Sequence, residues 1–329
     1  MKEFTIGPND AGQRVDRWLA KTVPLLPAAL AQKYIRLKRV KRNGKRTERD
    51  ARLAVGDTLQ LYINDEFFDA PTPENAFLKI ASPRLDILYE DDQIMLVNKA
   101  PGMVVHADET EQVNTLINHI LAYLYQKKEW DPRRENAFAP ALCNRIDRNT
   151  GGIVIAAKTA EALRVMNQKI RDRELTKRYL CASMGQLRPA SGTLKSWLRR
   201  DEKKKQVYIT AKPAPGARTA ITKYRTLAVR DGLSLVECDL ITGRTHQIRA
   251  QLAYAGHPLL GDGKYGQEAV NRRWRRKGQA LWSWSLQFQF TTPAGELEYL
   301  NGKHWQVSHI DFVEELFPGF DLSRIPPWF

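Results

Sequence analysis

The stretch that most limits what this chain can become is Asn144-Arg145-Ile146-Asp147-Arg148-Asn149-Thr150-Gly151-Gly152. One carboxylate stands between two arginines in a polar turn. The apolar, β-branched run Ile153-Val154-Ile155-Ala156-Ala157 follows at once and reads as a buried strand. Gly151 and Gly152 let the chain bend sharply before entering it. A carboxylate held at the mouth of a sheet by cationic neighbours stays ionised. That suits a nucleophile or an electrostatic stabiliser better than a proton donor at neutral pH. The fragment alone reads more simply as a surface Arg-Asp-Arg charge cluster, so the rest of the chain has to decide.

Charge narrows the partner. The 329 residues hold 52 Lys and Arg against 37 Asp and Glu, a net charge of +15. A field of that sign favours a polyanion, nucleic acid or an acidic membrane surface. No stretch approaches the ~18 apolar residues of a membrane span, and Met1 to Ile6 lack the apolar core of a signal peptide. Cys143, Cys181 and Cys238 are odd in number and far apart, with no metal spacing and no disulfide framework. A reduced cytoplasm fits, and neither metal nor cofactor is expected. Ala141-Leu142-Cys143 reads as an approach strand with its thiol packed in the core.

Residues 1–63 form a module of their own. Val15, Trp18 and Leu19 recur at helical spacing, and Pro24 and Pro27 then break the chain. A second helix, Ala28 to Leu37, is expected to bury Leu30, Tyr34 and Leu37. Asn43-Gly44 signals a tight hairpin, and an alternating strand follows to Ile63. Between Lys33 and Arg52, ten of twenty residues are cationic and two acidic. Helix, turn and strand would gather Lys38, Arg39, Lys41, Arg42 and Lys45 on one surface suited to phosphates. Residues 64–84 read as a linker, acidic at Asp65, Glu66, Asp69 and Glu74 and stiffened by Pro71, Pro73 and Pro83.

The larger unit, residues 85–329, opens on a hairpin, Leu85 to Tyr89 with Ile94 to Asn98. A helix is expected within 113–128 and a loop from Lys127 to Phe138. Thr159 can cap a helix running to about Arg173 with Leu163, Met166 and Ile170 inward. Arg178 to Ala182 is a strand. Ile221 to Val229 and Leu233 to Ile241 form a hairpin about Asp231-Gly232. Thr245 to Tyr254 is a helix stopped by Gly256, and Trp282 to Phe290 is paired with Leu297 to Leu300 as a last hairpin. Hairpins outnumber βαβ units, so the fold class is α+β with an antiparallel or mixed sheet.

Five segments stand in a fixed order: Ile94 to His106, Asn144 to Gly152, Lys177-Arg178-Tyr179-Leu180, Thr242-Gly243-Arg244-Thr245-His246-Gln247-Ile248-Arg249, and Gly256-His257-Pro258-Leu259-Leu260-Gly261-Asp262. Together they resemble the RluA-type RNA pseudouridine synthases, and residues 1–63 resemble the S4 RNA-binding domain found in the branch that modifies large-subunit ribosomal RNA. Order and spacing make the match specific where each motif alone would be weak. The resemblance implies an enzyme that breaks the N1–C1′ bond of a flipped-out uridine and rejoins the ring through C5. Asp147 matches the family aspartate, which attacks C1′ or takes the 2′ proton. Arg249 matches the basic residue that pairs with it, with Arg244 a second candidate or a phosphate contact. Tyr179 matches the tyrosine that stacks on the base, and Leu260 the apolar pocket position. Arg145 and Arg148 are placed to hold phosphates or to support the turn. His106 and His246 read as structural or substrate-positioning.

Asn144, Gly151 and Trp282-Ser283-Trp284 depart from the family's commonest wording without removing Asp147, Tyr179 or Arg249. The run Asn271 to Gly278 reads as a cationic loop able to grip RNA and stack a base on Trp274. The expected partner is ribosomal RNA, with tRNA next and no membrane, for a cytoplasmic monomer. The competing reading is an RNA-binding assembly factor on the same scaffold; a membrane-surface protein lacks an amphipathic apolar helix to insert.

Overall fold

In the computed structural model, residues 1–23, 25–64, 67–68, 76–132, 135 and 137–327 are described. Pro24 and the linker residues Asp65, Glu66, Asp69, Pro71, Pro73 and Glu74 lie outside them.

The N-terminal unit runs β1 (Lys2–Thr5), α1 (Val15–Thr22), α2 (Ala28–Arg36), β2 (Val40–Arg42), β3 (Lys45–Arg46) and β4 (Thr58–Leu61). Its sheet has the order β1-β4-β2-β3. Asn43 and Gly44 both have positive φ, 51° and 75°, the conformation a two-residue hairpin requires. Trp18, Leu19, Tyr34, Ile35, Leu59 and Leu61 fill the core between helices and sheet. Leu37 is exposed, against expectation. The buried face of α2 is Ala31, Tyr34 and Ile35, because the helix stops at Arg36 before Leu37 can turn inward. The unit rests on the larger one through Asn9, whose side chain accepts from the Ala160 N–H at 3.1 Å and donates to Glu135 at 3.1 Å.

The larger unit continues with β5 (Ile87–Glu90), β6 (Ile94–Lys99), α3 (Leu116–Gln126), β7 (Ala141–Leu142), β8 (Gly151–Ala157), α4 (Ala160–Arg171) and β9 (Leu175–Met184). Next come β10 (Ser191–Asp201), β11 (Gln206–Thr210), β12 (Arg218–Arg230), β13 (Leu233–Leu240), α5 (Gln247–Tyr254), α6 (Glu268–Arg273), β14 (Leu281–Phe288), β15 (His304–Gln306) and α7 (Asp311–Leu316). One 11-stranded sheet has the order β11-β10-β12-β13-β9-β14-β8-β6-β5, with β15 on β14 and β7 on β8. Among the described strand pairings of this sheet only β14 with β8 is parallel, so the sheet is mixed as expected.

Strand alternation sends Leu180 and Ala182 to one apolar cluster, with Met166 of α4 and Phe312 of α7, and Tyr179 and Cys181 to the other, with Ile120 of α3 and Ile248 of α5. Thr159 caps α4, accepting from the Ala162 N–H at 3.1 Å. The segment 76–80 is tied to this unit, since Phe77 and Ile80 are buried in the second cluster. Two expectations fail. Gly295–Leu300 is a 3-10 turn, not a strand, and β15 takes the place beside β14. Leu297 and Leu300, both fully buried, are three residues apart, which fits the three-residue period of that turn. The cationic run begins inside α6, and Trp274 is packed against the first cluster instead of standing free. Among the described residues, no helix is long and apolar enough to cross a membrane.

Candidate active site

Asp147 lies in the loop between β7 and β8, and the Thr150 N–H closes a turn on its carbonyl at 3.0 Å. Asn144 tacks the loop to β8, its Oδ1 accepting from the Ile155 N–H at 2.8 Å. From the other side Lys99, fully buried at the end of β6, donates to the carbonyls of Ala100, Met103 and Arg148, each at 2.9 Å. Three acceptors match the three donors of an ammonium. Burial, the larger influence, pulls the Lys99 pKa down to about 7, while Asp147 pulls it up.

The two glycines do more than bend the chain. A Cβ on Gly151 would stand 2.5 Å from the Trp282 ring, and one on Gly152 would stand 2.1 Å from the Ser283 carbonyl. Strand β14 therefore presses its backbone onto the base of the Asp147 turn.

Asp147 opens into a cavity of about 290 Å³ whose walls include Tyr179, Lys177, His246, Ile248 and Arg249, close to the lower end of the ~300–1,000 Å³ usual for small-ligand sites. Arg249 projects from α5 and is almost wholly buried. Its Nη1 donates to Asp147 Oδ2 at 2.6 Å. Its Nε and Nη2 grip Asp262 at 2.7 and 2.9 Å. Asp262 Oδ1 also accepts from the backbone N–H groups of Lys264 and Tyr265, at 2.8 and 3.1 Å. Burial pushes the Asp262 pKa up, but Arg249 and these donors outweigh it and hold the carboxyl below its usual range. Asp147 Oδ1 has no hydrogen bond among the described residues.

His246 sits beside this pair in a left-handed conformation, φ 53°. The Val207 N–H donates to the Tyr265 hydroxyl at 2.8 Å, and that hydroxyl lies 2.9 Å from His246 Nδ1. His246 Nε2 lies on the other side, 3.8 Å from Asp147 Oδ2. Burial holds the His246 pKa down at about 4, so the ring is neutral. Tyr179 is buried on β9, and burial, helped by Asp147, pushes its phenol up to about 12.

A family model described as RNA pseudouridylate synthase matches residues 93–254. An uncharacterized RNA pseudouridine synthase of Mycoplasma genitalium is 32% identical over 87% of this chain and 88% of its own. The chain belongs to the RNA pseudouridine synthase family. Ribosomal large subunit pseudouridine synthase C of Escherichia coli is 29% identical over 85% of each chain. The solved human RNA pseudouridylate synthase domain containing 4 shares the fold, with a TM-score of 0.54 at 21% identity over 73% of this chain and 94% of that one.

Within this pseudouridine synthase, Asp147, Tyr179, Arg249, Arg145 and Arg244 all line the one cavity. Arg145 is exposed at it, and Arg244 is tied by Nε to the Thr219 carbonyl at 3.2 Å. Arg148 does not line it. Its side chain turns to Asp108 at 2.9 Å and also bonds Thr110, while its carbonyl serves Lys99. Leu260 does not line it either. Its N–H bonds the Ala182 carbonyl at 2.9 Å, and its side chain is fully buried in the cluster on the face opposite Tyr179. Alternation gives the position beside Tyr179 and Ile248 to Leu259.

The N-terminal cations stay on their own unit. Arg42 pairs with Asp57 at 2.6 Å, Arg39 and Lys41 lie over Tyr34 and Tyr62, and Lys38 and Lys45 are exposed. Arg272, Arg275, Arg276 and Lys277 line a separate groove of about 570 Å³ that reaches Asn149, two residues past Asp147. Sequence reading missed Asp262 as the second partner of Arg249, and it missed Tyr265. The signal was present, since Asp262 closes the fifth motif.

Proposed function

We propose that this chain isomerises uridine to pseudouridine in large-subunit ribosomal RNA, with Asp147 as the reacting carboxylate. The observation that carries this is the Arg249–Asp147 contact at 2.6 Å, which fixes one carboxylate oxygen and leaves the other facing a cavity of base-sized order beside Tyr179. An ionised, aimed carboxylate serves either route, attack on C1′ or removal of the 2′ proton. Tyr179 stacks on the uracil. Arg249 orients the carboxylate, and Arg145 and Arg244 meet the flanking phosphates. A stacked uridine has to be flipped out to enter, at a cost of a few kcal/mol.

The large-subunit assignment draws on relatives named as ribosomal large subunit enzymes. Residues 1–63 act as an S4-like RNA-binding domain, with Lys38, Arg39, Lys41 and Lys45 on phosphates. Residues 64–84 link it to a catalytic domain at 85–329, and the enzyme works as a cytoplasmic monomer. The groove with Arg275 and Lys277 gives the RNA a second hold beside the Asp147 turn.

The test is tritium release from [5-³H]uridine-labelled transcripts of large-subunit rRNA and of tRNA, for wild type and Asp147→Asn. Wild type is expected to release tritium from the rRNA and Asp147→Asn from neither. Better release from tRNA would move the substrate assignment. Undiminished release by Asp147→Asn would remove the carboxylate from the mechanism. Tight binding of both transcripts and of an assembly intermediate, with no release from any, would favour an assembly factor.

A further inference from the structure

Lys177 belongs to the third sequence motif, yet neither the fold nor the site described so far uses it. It lies two residues before Tyr179 on β9, so both side chains leave the same face of the strand, and both line the cavity. It has no ion pair and no hydrogen bond among the described residues. Ile170, Leu240 and Cys143 form part of the same wall, an apolar setting in which an unpaired ammonium is costly. Burial alone pulls its pKa below the ordinary lysine value.

The charges around the cavity show what such a cation is for. Asp147 and Asp262 are two carboxylates, Arg249 is one cation held between them, and His246 is neutral. When the uracil anion forms, Asp147 has given up its charge by either route, so Arg249 and Asp262 balance each other and the ring's charge is left to the other cations lining the cavity, Arg145, Lys177 and Arg244. Arg244 is bonded to the Thr219 carbonyl and Arg145 is exposed. By either route, the N1–C1′ bonding pair leaves with the uracil, which becomes an anion with its charge spread over N1, O2 and O4. In the second half, C5 forms the new bond to C1′ as the Asp147–C1′ bond breaks or, on the other route, as Asp147 returns the 2′ proton; the C5 hydrogen departs as a proton, and N1 takes one up. The reaction is redox-neutral. The detached ring is the only new anion, and of those three cations Lys177 leaves the same strand face as Tyr179, with no bonded partner among the described residues.

We propose that Lys177 is a further catalytic residue, its ammonium pairing with a carbonyl oxygen of the detached uracil anion. This rests on reading Asp147 as the reacting carboxylate. Charge stabilisation of this kind, when removed, costs roughly 100- to 1,000-fold in kcat.

The experiment compares Lys177→Met and Lys177→Arg in the full-length enzyme by single-turnover tritium release, RNA binding by filter retention, and a pH–rate profile. Lys177→Met is expected to lose about 100-fold or more in rate, with RNA affinity within about threefold. Lys177→Arg should recover at least about tenfold of that loss and move the alkaline limb of the profile upward, because a guanidinium keeps its proton where an ammonium does not. A rate for Lys177→Met within about threefold of wild type would overturn the proposal, as would equal losses in rate and affinity. If Lys177→Met does not fold, the profile of Lys177→Arg against wild type decides, and an unmoved alkaline limb counts against the proposal. An active Lys177→Met alongside a dead Asp147→Asn would sink Lys177 alone; an active Asp147→Asn would sink the underlying reading.

Discussion

Arg249 grips Asp262 with two nitrogens, at 2.7 and 2.9 Å, and the carboxylate it holds is almost fully buried. The fork fixes the guanidinium plane and leaves Nη1 for Asp147. Removing the arginine leaves a buried carboxylate unpaired, which typically costs about 3–5 kcal/mol. Arg249→Met should therefore lower the urea midpoint as well as abolish turnover. Lost turnover with an unchanged midpoint would show that the fork contributes nothing to stability.

The same carboxylate sets an acid limit. Its folded pKa lies below the unfolded value of about 3.9, so it binds its proton more weakly when folded. The stabilisation is fully present above about pH 4 and is lost as pH falls through the lower folded value. Asp262→Asn should be less stable at neutral pH and should show a flatter decline below about pH 4. Thermal melts between neutral and strongly acidic pH would reveal it, and parallel curves for variant and wild type would contradict it.

Gly151 and Gly152 should respond differently to alanine. At Gly151 the added carbon meets a side chain, the Trp282 ring, so trimming Trp282 to Leu should relieve part of the damage. At Gly152 it meets the Ser283 backbone, on a φ of 112° that an alanine rarely adopts, and no side-chain change can make room. Overpacking costs about 1–3 kcal/mol, with backbone strain added at Gly152. A double-mutant cycle in denaturant checks the first claim; equal coupling of both glycines to Trp282 would refute it.

Lys38, Arg39, Lys41 and Lys45 should carry the salt dependence of RNA binding. Removing one cation that neutralises a phosphate should reduce the slope of log K against log salt by roughly 0.7–0.9. Arg42, engaged by Asp57, should matter less. Neutralising the four one at a time and titrating RNA across salt tests this. Slopes that stay constant would show that the N-terminal unit does not bind the RNA phosphates.

Tyr179 keeps its proton at neutral pH, since burial pushes its phenol to about 12. Its ring should therefore matter more than its hydroxyl. Leu at this position should lose stacking of about 1–3 kcal/mol, while Phe should retain most substrate affinity. Affinities for an RNA bearing an unreactive uridine analogue separate the two; Phe binding as poorly as Leu would assign the role to the hydroxyl.

Features written in neighbouring residues were legible beforehand. The Asp147 turn, the Thr159 cap, and the hairpins at Asn43-Gly44 and Asp231-Gly232 each depend on chemistry within a few positions. What escaped depends on distant partners. Nothing near Gly151 announces a tryptophan 131 positions later in the chain, and nothing near Arg249 marks Asp262 as its anchor. Leu260 was assigned to the pocket by motif position, but the alternation of an extended segment gives that side of the sheet to Leu259. The hairpin of β10 and β11 went unread because most of its residues are exposed or half-buried and few are buried, so its apolar signal is thin.

Lys99 binds carbonyls from two loops at once, and the Gly102 N–H adds a bond to the Arg148 carbonyl at 2.9 Å. Neither loop can fray without stripping acceptors from a buried ammonium. Residues 100–103 and 147–150 should exchange their amide hydrogens in one common opening, much rarer than the breathing of an ordinary surface turn. A cleft so fastened does not mould itself around what enters. The work of deformation then falls on the RNA, and uridines that are already loosely stacked or unpaired are the ones it admits most readily.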